Sequence, residues 1–382
     1  MTKKTAFLFG SGISIPAKIP GTAEITKQIL SGEGIIRHSD ANYYFGTKNG
    51  FYREYVERVT AFVSVIKSTV DAFYTYDKNK TITYEDIYYV ISQIDDCESC
   101  EFENPVVKAY IDQINPQIAH LLTGEYWHLS DLTREAMTYI NCIVWHMINR
   151  EHFRLDHLDT VITLCRSLAE TDIFTLNLDT LLETALSKTG LHVNDGFSEP
   201  IHDVRYFDVR NFESGHGVRL IKLHGSINWF KLRPEDDDKT YDDVGIPLNY
   251  DFWHTRDHRG KLQWPVDGRP MMLTGTFNKM IDYGIGVFAD LHYQFYKSLQ
   301  DCKNLIICGY GFGDRGINQR VLDWLFKYPG VRTIVIHPDV AKLRLHARNV
   351  VDKNWDELVF RKKIIYAPKT IEGLTLSDIA LE

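Results

Sequence analysis

Ser11, Asn177, His224 and Asp314 each stand at or just past the end of an apolar run that predicts a buried β-strand. An amide such as that of Asn177 can hold a hydroxyl group or orient a water molecule, and an imidazole can accept a proton near neutral pH. Ligands of open α/β sheets bind at the edge where the strands' carboxyl ends meet. We therefore expect these side chains to share that edge. The alternatives are that His224 is a core histidine and that Asn177 caps a helix.

The first of these strands leads into a glycine turn. An apolar run over residues 5–9 breaks into Gly10-Ser11-Gly12, and a helical pattern resumes from about Thr22. Glycine permits positive φ and leaves no Cβ in the way of a ligand. The amides of such a turn, together with a helix N-terminus, can bind a phosphate or pyrophosphate. Because the third glycine of the dinucleotide fingerprint is missing, a plain strand-to-helix turn is the alternative.

Strands and helices alternate along the rest of the chain. The apolar patterns predict strands over residues 172–177, 219–225, 270–275, 304–309, 331–336 and 363–366, and helices over 51–76, 106–122, 132–148, 158–168, from 179, 285–299 and 317–326. Residues 231–269 are polar and are expected to form a long loop that includes the acidic run 235–238. A second glycine turn follows the strand at 304–309.

This alternation predicts an α/β fold, a Rossmann-like and mostly parallel sheet with helices on both faces. The sheet core is expected to come from residues 1–40 and 151–382, with residues 41–150 as a helical insertion. Tyrosine and phenylalanine are abundant in the first part of the insertion, and they fit either its core or a subunit interface.

Composition narrows the class of protein. The 382-residue chain is 44% hydrophobic and 25% charged, so it can bury a full core. A net charge of -8 disfavours a nucleic-acid-binding surface, and no stretch is long and apolar enough to span a membrane. The six cysteines are scattered, which favours a reducing, cytoplasmic compartment over a disulfide framework.

His152 and His157 are expected on a solvated helix face rather than in a metal site.

Taken in order, the motifs resemble those of the Sir2 (sirtuin) superfamily. They are Gly10-Ser-Gly-x-Ser14, Thr175-x-Asn177-x-Asp179, His224-Gly225, the second glycine turn, and Val335-Ile-His-Pro-Asp339. The resemblance covers nearly all the sheet-forming segments, whereas residues from about 40 to 150 have no counterpart in small sirtuins.

The resemblance implies an NAD⁺ site and cleavage of the bond between nicotinamide and ribose. It places the pyrophosphate at the first glycine turn and the nicotinamide ribose near Asn177 and Asp179, with His224 as general base. The matching positions on the pyrophosphate side are Gly10, Ser11, Gly12 and Ser14, and those on the adenosine side are Gly309, Gly311 and Asp339.

Two departures from the sirtuin pattern bear on the reaction. Sirtuin deacetylases carry a zinc ribbon of two Cys-x-x-Cys pairs after the His-Gly motif, but no cysteine lies between Cys165 and Cys302. Cys97 and Cys100 form a lone pair, which is too few ligands for zinc. We therefore expect no metal, and an acyl-lysine channel is in doubt. The first turn also reads Gly-Ser-Gly where sirtuins favour Gly-Ala-Gly.

The zinc-free Sir2-like NADases of bacterial antiphage systems are a better match. They hydrolyse NAD⁺ to kill an infected cell, and some act with a HerA-like hexameric ATPase. About 15 residues follow the last predicted strand, so we expect no fused sensor and regulation by self-assembly or a partner. The expected activity is NAD⁺ glycohydrolysis. The alternatives are an NAD⁺- or ADP-ribose-sensing module, a protein deacylase, and an ADP-ribosyltransferase.

Overall fold

The computed structural model describes residues 4–47, 52–74, 81–100, 104–124, 127–168, 170–213, 217–235, 242–249 and 251–379. The strands, in chain order, are β1 (Lys4–Phe9), β2 (Ile35–Arg37), β3 (Tyr43–Phe45), β4 (Glu170–Thr175), β5 (Val193–Asn194), β6 (Val204–Tyr206), β7 (Gly217–Lys222), β8 (Phe230–Pro234), β9 (Asp243–Pro247), β10 (Thr255–Arg256), β11 (Leu262–Pro265), β12 (Cys302–Cys308), β13 (Arg332–Ile336) and β14 (Ile364–Ala367). The helices are α1 (Thr22–Ser31), α2 (Arg53–Phe73), α3 (Tyr84–Ser99), α4 (Pro105–Ile118), α5 (Leu129–Ile148), α6 (Asp159–Ser167), α7 (Leu181–Ser187), α8 (Lys279–Asp282), α9 (Gly286–Asp301), α10 (Arg315–Lys327), α11 (Val340–His346), α12 (Asn349–Phe360) and α13 (Leu376–Ile379).

The chain packs into two compact units. Unit 1 comprises Met1–Ile19, Glu151–Leu273 and Met280–Glu382, and unit 2 comprises Pro20–Arg150 and Thr274–Lys279. Unit 2 thus begins ahead of the insertion boundary that we expected at residue 41.

Among the described residues of unit 1, a seven-stranded sheet has the order β14-β13-β12-β1-β4-β7-β5, and each of its pairings is parallel. The central strand β1 is apolar and almost fully buried, as expected for a strand covered on both faces. Helices such as α9 pack against it. The predicted α/β, Rossmann-like fold class is confirmed.

The strands that surround β1 end in register. Phe9 pairs with Thr175 on one side and Cys308 on the other, Thr175 pairs with Lys222, and Cys308 pairs with Ile336. The segments after β1, β4, β7, β12 and β13 therefore emerge at one edge. The chain order also reverses between β1 and β12, which is the place where open α/β sheets bind ligands.

The long loop predicted over residues 231–269 is wrong. Described residues of this region form β8 to β11, which join β6 in a five-stranded sheet of order β10-β11-β8-β9-β6. In β8, buried residues alternate with the exposed Lys231 and Arg233, which is the period of a half-buried strand. Because Lys231 and Arg233 are charged, the segment looks polar in the sequence and the alternation was not recognised. Residues 236–238 of the acidic run lie outside the described part of the chain.

The strand predicted over residues 270–275 is reduced to one bridge between Met272 and Gly225. The described residues also form five helices that the sequence patterns did not predict, namely α3, α8, α11, α12 and α13.

Unit 2 is helical around α5, which contacts α1, α2 and α3. Its aromatic side chains lie partly in the core and partly at the surface. Tyr43 and Phe62 are fully buried, whereas Phe45 is 45% exposed and Phe73 is 75% exposed. None of the described helices is long and apolar enough to cross a membrane.

Candidate active site

The two glycine turns of unit 1 pack backbone against backbone. The amide of Gly12 donates to the carbonyl of Gly309 at 2.9 Å, and that of Gly10 donates to the carbonyl of Cys308 at 3.1 Å. A Cβ on Gly12 would lie 2.6 Å from the Gly309 Cα. Gly309 has a φ of +68°, and its Cβ would lie 2.6 Å from the amide of Ile13. A side chain at these glycines would clash with the backbone of the facing turn, so the packing of the two turns requires glycine.

Ser11 and Gly311 are the open positions of these turns. Ser11 is exposed, and a Cβ on Gly311 would meet no described atom within 4 Å. Helix α1 does not follow the first turn directly, since residues 11–13 form a 3-10 turn and α1 begins at Thr22 in unit 2. Within unit 1, a ligand could therefore approach the backbone at Ser11 and Gly311.

Ser14 joins the first turn to the segment after β4. Its buried hydroxyl donates to Oδ2 of Asp179 at 2.7 Å and accepts from Nδ2 of Asn177 at 2.9 Å. The other carboxylate oxygen of Asp179 accepts from the amide of Leu181, the first residue of α7, at 3.0 Å. Asn177 thus holds a fixed orientation without capping the helix itself.

The amide oxygen of Asn177 is the unusual atom of this cluster. Asn177 is 6% exposed, and its Oδ1 has no hydrogen-bond partner among the described residues. A buried acceptor left without a partner costs about 1–3 kcal/mol. The side chain therefore offers a buried acceptor of fixed orientation to a hydroxyl or a water molecule.

Lys222 ties this segment to β7. The ammonium group is buried, donates to the carbonyl of Asp179, and lies 2.8 Å from Oε1 of Glu183. Because Lys222 precedes His224 by two residues, the contact joins the end of β7 to the segment that carries Asn177. The sequence analysis missed this lysine, because a single charge at the end of an apolar strand gives no signal of its own.

His224 contacts Asp314, which the sequence analysis placed at the same edge, and Tyr283, which it did not name. Its Nε2 lies 2.9 Å from the hydroxyl oxygen of Tyr283 and 3.2 Å from Oδ2 of Asp314. The hydroxyl of Tyr283 also donates to Asp314. The sequence pointed to Asp314 because this residue follows a predicted strand, whereas no sequence pattern marked Tyr283.

The pKa of Asp314 is held well below its usual range. Burial alone would raise it, but the hydrogen bond and charge of His224, the amide of Ile317 and the hydroxyl of Tyr283 together outweigh that effect. The carboxylate therefore stays ionised beside His224.

His292 packs behind this group. Its ring stacks on that of Tyr283 with centroids 3.7 Å apart, and its Nε2 lies 3.2 Å from the carbonyl oxygen of Leu223. Burial first, and then the nearby charges of His224 and Arg320, lower its pKa to about 3. His292 is consequently neutral at physiological pH.

The remaining predicted residue, Asp339, follows β13 at the same edge of the sheet. It is exposed, and its Oδ1 accepts from the amide of Lys342 at 2.9 Å, which caps α11. The structure therefore brings Ser14, Asn177 and Asp179 into one hydrogen-bonded cluster. It places His224 after the neighbouring strand, and Asp339 shares the edge without a described contact to the others.

The expectation that His157 lies on a solvated face is wrong. His157 is 4% exposed, and its Nε2 lies 2.9 Å from the carbonyl oxygen of Ile13, so the histidine supports the first glycine turn. Burial lowers its pKa. His152 is partly buried and lies 3.4 Å from the hydroxyl of Thr180. Within the described ranges, no three His, Cys, Asp or Glu side chains are grouped to hold a metal ion.

Part of the chain matches a known family model. Residues 171–353 match the family model of the SIR2-like domain. Over just under half of its length, the chain is therefore similar to the SIR2-like domain. The matched segment includes Asn177, Asp179, His224 and Asp314, whereas Ser14 lies outside it and is hydrogen-bonded to it. No curated protein matches the chain.

Solved Sir2 structures resemble the chain weakly. Sir2 bound to an inhibitor, 2′-O-acetyl-ADP-ribose and a deacetylated peptide is 10% identical with a TM-score of 0.36, over 97% of this chain and 89% of that one. A Sir2 homologue–NAD complex is 14% identical with a TM-score of 0.35, over 94% and 89%. A mutant Sir2 homologue with ADP-ribose is 14% identical with a TM-score of 0.34, over 94% and 92%. At these values the fold assignment rests on the strand order of the chain itself.

Proposed function

We propose that this protein is an NAD⁺ glycohydrolase that cleaves NAD⁺ to nicotinamide and ADP-ribose. The bond between ribose C1′ and the nicotinamide nitrogen breaks, and its electron pair leaves with nicotinamide. Water adds to the oxocarbenium-like C1′ and gives up one proton to His224, which later releases it to solvent. The proposed roles are orientation of a ribose hydroxyl or the water by Asn177, and proton acceptance by His224.

The observation that carries this proposal is the buried Oδ1 of Asn177, which has no hydrogen-bond partner among the described residues. It lies in the segment that matches the SIR2-like family model, at the carboxyl edge of the sheet. An amide acceptor without charge suits a site in which positive charge develops on ribose. Nearby, Ser11 and Gly311 leave backbone open for a pyrophosphate, and Gly10, Gly12 and Gly309 hold the two turns together. Asp339 is proposed to lie on the adenosine side, and Asp179 to orient Asn177 through Ser14.

No metal is required by the proposed roles.

The test is incubation of the purified protein with NAD⁺, with and without an acetylated peptide. Nicotinamide and free ADP-ribose in equal amounts, independent of the peptide, are expected. O-acetyl-ADP-ribose would instead indicate a deacylase, and ADP-ribose attached to protein would indicate a transferase. Intact NAD⁺ together with measurable ADP-ribose binding would favour the sensing module.

We further propose that the protein depletes NAD⁺ in the bacterial cytoplasm as the effector of an antiphage system. A constitutively active NADase would be toxic to its host, so its activity must be controlled. Self-assembly, or association with a HerA-like hexameric ATPase, is the proposed source of control. Direct binding of nucleic acid or membrane is not part of the proposal.

A further inference from the structure

Asn177 and His224 lie on two separate segments, one after β4 and the other after β7. If both act on one ribose carbon, the separation of these segments must be fixed closely, since a displacement of about 1 Å can cost 10²-fold in rate. A backbone hydrogen bond supplies one link, from the amide of Ile227 to the carbonyl of Leu178 at 3.0 Å. Leu178 directly follows Asn177, and Ile227 follows His224 by three positions.

Lys222 supplies a second link, and it does so with a side chain. Its ammonium group is 3% exposed and donates to the carbonyl of Asp179. Lys222 precedes His224 by two positions, and Asp179 follows Asn177 by two positions. The two links therefore lie on either side of His224, and both end within two residues of Asn177.

An ion pair holds the Lys222 ammonium in place. Oε1 of Glu183, in the first turn of α7, lies 2.8 Å from Nζ. A buried charge is costly unless a counter-charge and hydrogen-bond acceptors surround it. Lys222 meets both needs with groups of the segment that follows β4. The side chain thus fastens the end of β7 to that segment at two points.

The contact with the Asp179 carbonyl continues to the Asn177 amide. Oδ2 of Asp179 accepts from the hydroxyl of Ser14 at 2.7 Å, and the same hydroxyl accepts from Nδ2 of Asn177 at 2.9 Å. A shift of the Asp179 backbone would move its carboxylate, and with it the hydroxyl that orients the amide. Lys222 can therefore affect Asn177 without touching it.

We propose that Lys222 is a positioning residue that sets the separation between Asn177 and His224 through the Asp179 carbonyl. The inference rests on the proposed function for its effect on turnover, and on the hydrogen bonds alone for its effect on the segment after β4. Lys222 has no described contact with Ser11 or Gly311, where the pyrophosphate is proposed to bind. Its loss should therefore lower kcat and leave KM nearly unchanged.

The decisive variant is the double substitution Lys222→Met/Glu183→Leu. Lys222→Met alone would leave the Glu183 carboxylate without its counter-charge and could prevent folding, whereas replacing both members of a buried ion pair by apolar side chains is often neutral for stability. In the double variant we expect kcat to fall by about 10²-fold and KM to stay within about threefold of the wild type. A wild-type kcat, or a change confined to KM, would overturn the proposal.

Lys279→Met/Glu85→Leu is the matched control. Nζ of Lys279 lies 2.6 Å from Oε2 of Glu85, and the side chains are 6% and 25% exposed, against 3% and 24% for Lys222 and Glu183. Both control residues belong to unit 2 and have no described contact with Asn177. The control should keep the wild-type kcat. An equal loss of kcat in the two double variants would show a general effect of removing a buried ion pair and would overturn the proposal.

Hydrogen exchange read by mass spectrometry tests the link without substrate. The amides of Leu176, Asn177 and Leu181 are hydrogen-bonded in the wild type. A peptide covering residues 176–181 should exchange faster in Lys222→Met/Glu183→Leu and at the wild-type rate in the control. Unchanged exchange would overturn the proposal even if NAD⁺ is hydrolysed. Faster exchange, in a protein whose wild type does not hydrolyse NAD⁺, would refute the proposed function and leave the positioning assignment intact.

Discussion

The hydroxyl of Ser14 lies 2.7 Å from Oδ2 of Asp179, across 165 positions of sequence. The same hydroxyl accepts a hydrogen bond from Asn177. One serine thus joins the turn after β1 to the segment after β4 and fixes the amide whose oxygen is left for a ligand. Both stability and catalysis should depend on this contact.

Ser14→Ala should lower the free energy of unfolding by about 1–3 kcal/mol, because it leaves buried groups of Asp179 and Asn177 without a partner. NAD⁺ turnover should fall as well, since Asn177 loses its orientation. Urea denaturation and a nicotinamide-release assay measure the two effects. Ser92→Ala is the control, since that hydroxyl bonds a carbonyl of its own helix. Equal, small effects of both substitutions would argue against the bridging role.

Asn177→Ala and His224→Ala should each lower NAD⁺ hydrolysis by at least about 10²-fold, the usual scale for an orienting group or a general base. The cost in stability should be modest for Asn177, which gives up one buried hydrogen bond of about 0.5–1.5 kcal/mol. It should be larger for His224, whose loss removes a contact of the buried Asp314.

Asn194→Ala is the matched control for Asn177. Asn194 also bonds backbone groups, but it lies on β5, where it pairs with Arg219 away from the edge that carries the site. The Asn194→Ala variant should hydrolyse NAD⁺ at the wild-type rate. Near-normal turnover of either site variant would refute the role assigned to that residue.

Substitution by alanine should affect stability at one glycine of the second turn and ligand binding at the other. Gly309→Ala should destabilise the protein by more than about 2 kcal/mol, because it combines positive φ with a Cβ 2.6 Å from the Ile13 amide. Gly311→Ala should fold normally, since its Cβ meets no described atom within 4 Å. It should nevertheless weaken ADP-ribose binding if a nucleotide lies against that turn. Calorimetric titration with ADP-ribose and thermal melting separate the two outcomes, and unchanged binding in Gly311→Ala would remove this glycine from the site.

Purified protein should contain no stoichiometric zinc, and chelators should not unfold it. Elemental analysis tests the first point and thermal melting with a chelator the second. In a thiol titration, Cys100, which is exposed, should react first, whereas Cys142, Cys165, Cys302 and Cys308 are buried and should react after unfolding. One tightly held zinc ion per chain would contradict the reading of Cys97 and Cys100 as a lone pair.

Light scattering at micromolar concentration should report a mass well above the 44.3 kDa of one chain. Phe73 in unit 2 is 75% exposed, and Phe73→Glu should lower that mass if the helical insertion mediates assembly. Phe360→Glu in unit 1 is the control, because Phe360 is 88% exposed and apolar as well. A monomer whose NADase activity is independent of any partner would refute the proposed control by assembly.

The sequence predicted the parallel sheet and the residues at its edge with few errors. Uniformly apolar strands such as β1, separated by helical periods, carry that information locally, and glycines at the strand ends mark the turns. The five-stranded sheet was missed because the charged side chains of β8 face solvent and look like a loop in the sequence. His157 was misassigned because its partner, the carbonyl of Ile13, belongs to a distant segment.

Strand-end positions thus pointed to Asn177 and His224, and the resemblance of the motifs to the Sir2 superfamily added Ser14 and Asp179. Which atoms of these residues meet was decided by the tertiary structure alone. Lys222 reaches Asp179, and Asp314 reaches His224, because parallel strands in register bring the ends of β4, β7 and β12 to one edge. Tyr283 reaches His224 from the segment between α8 and α9. Such contacts depend on the pairing of strands far apart in the chain, and no local pattern encodes a hydrogen bond between residues 59 positions apart.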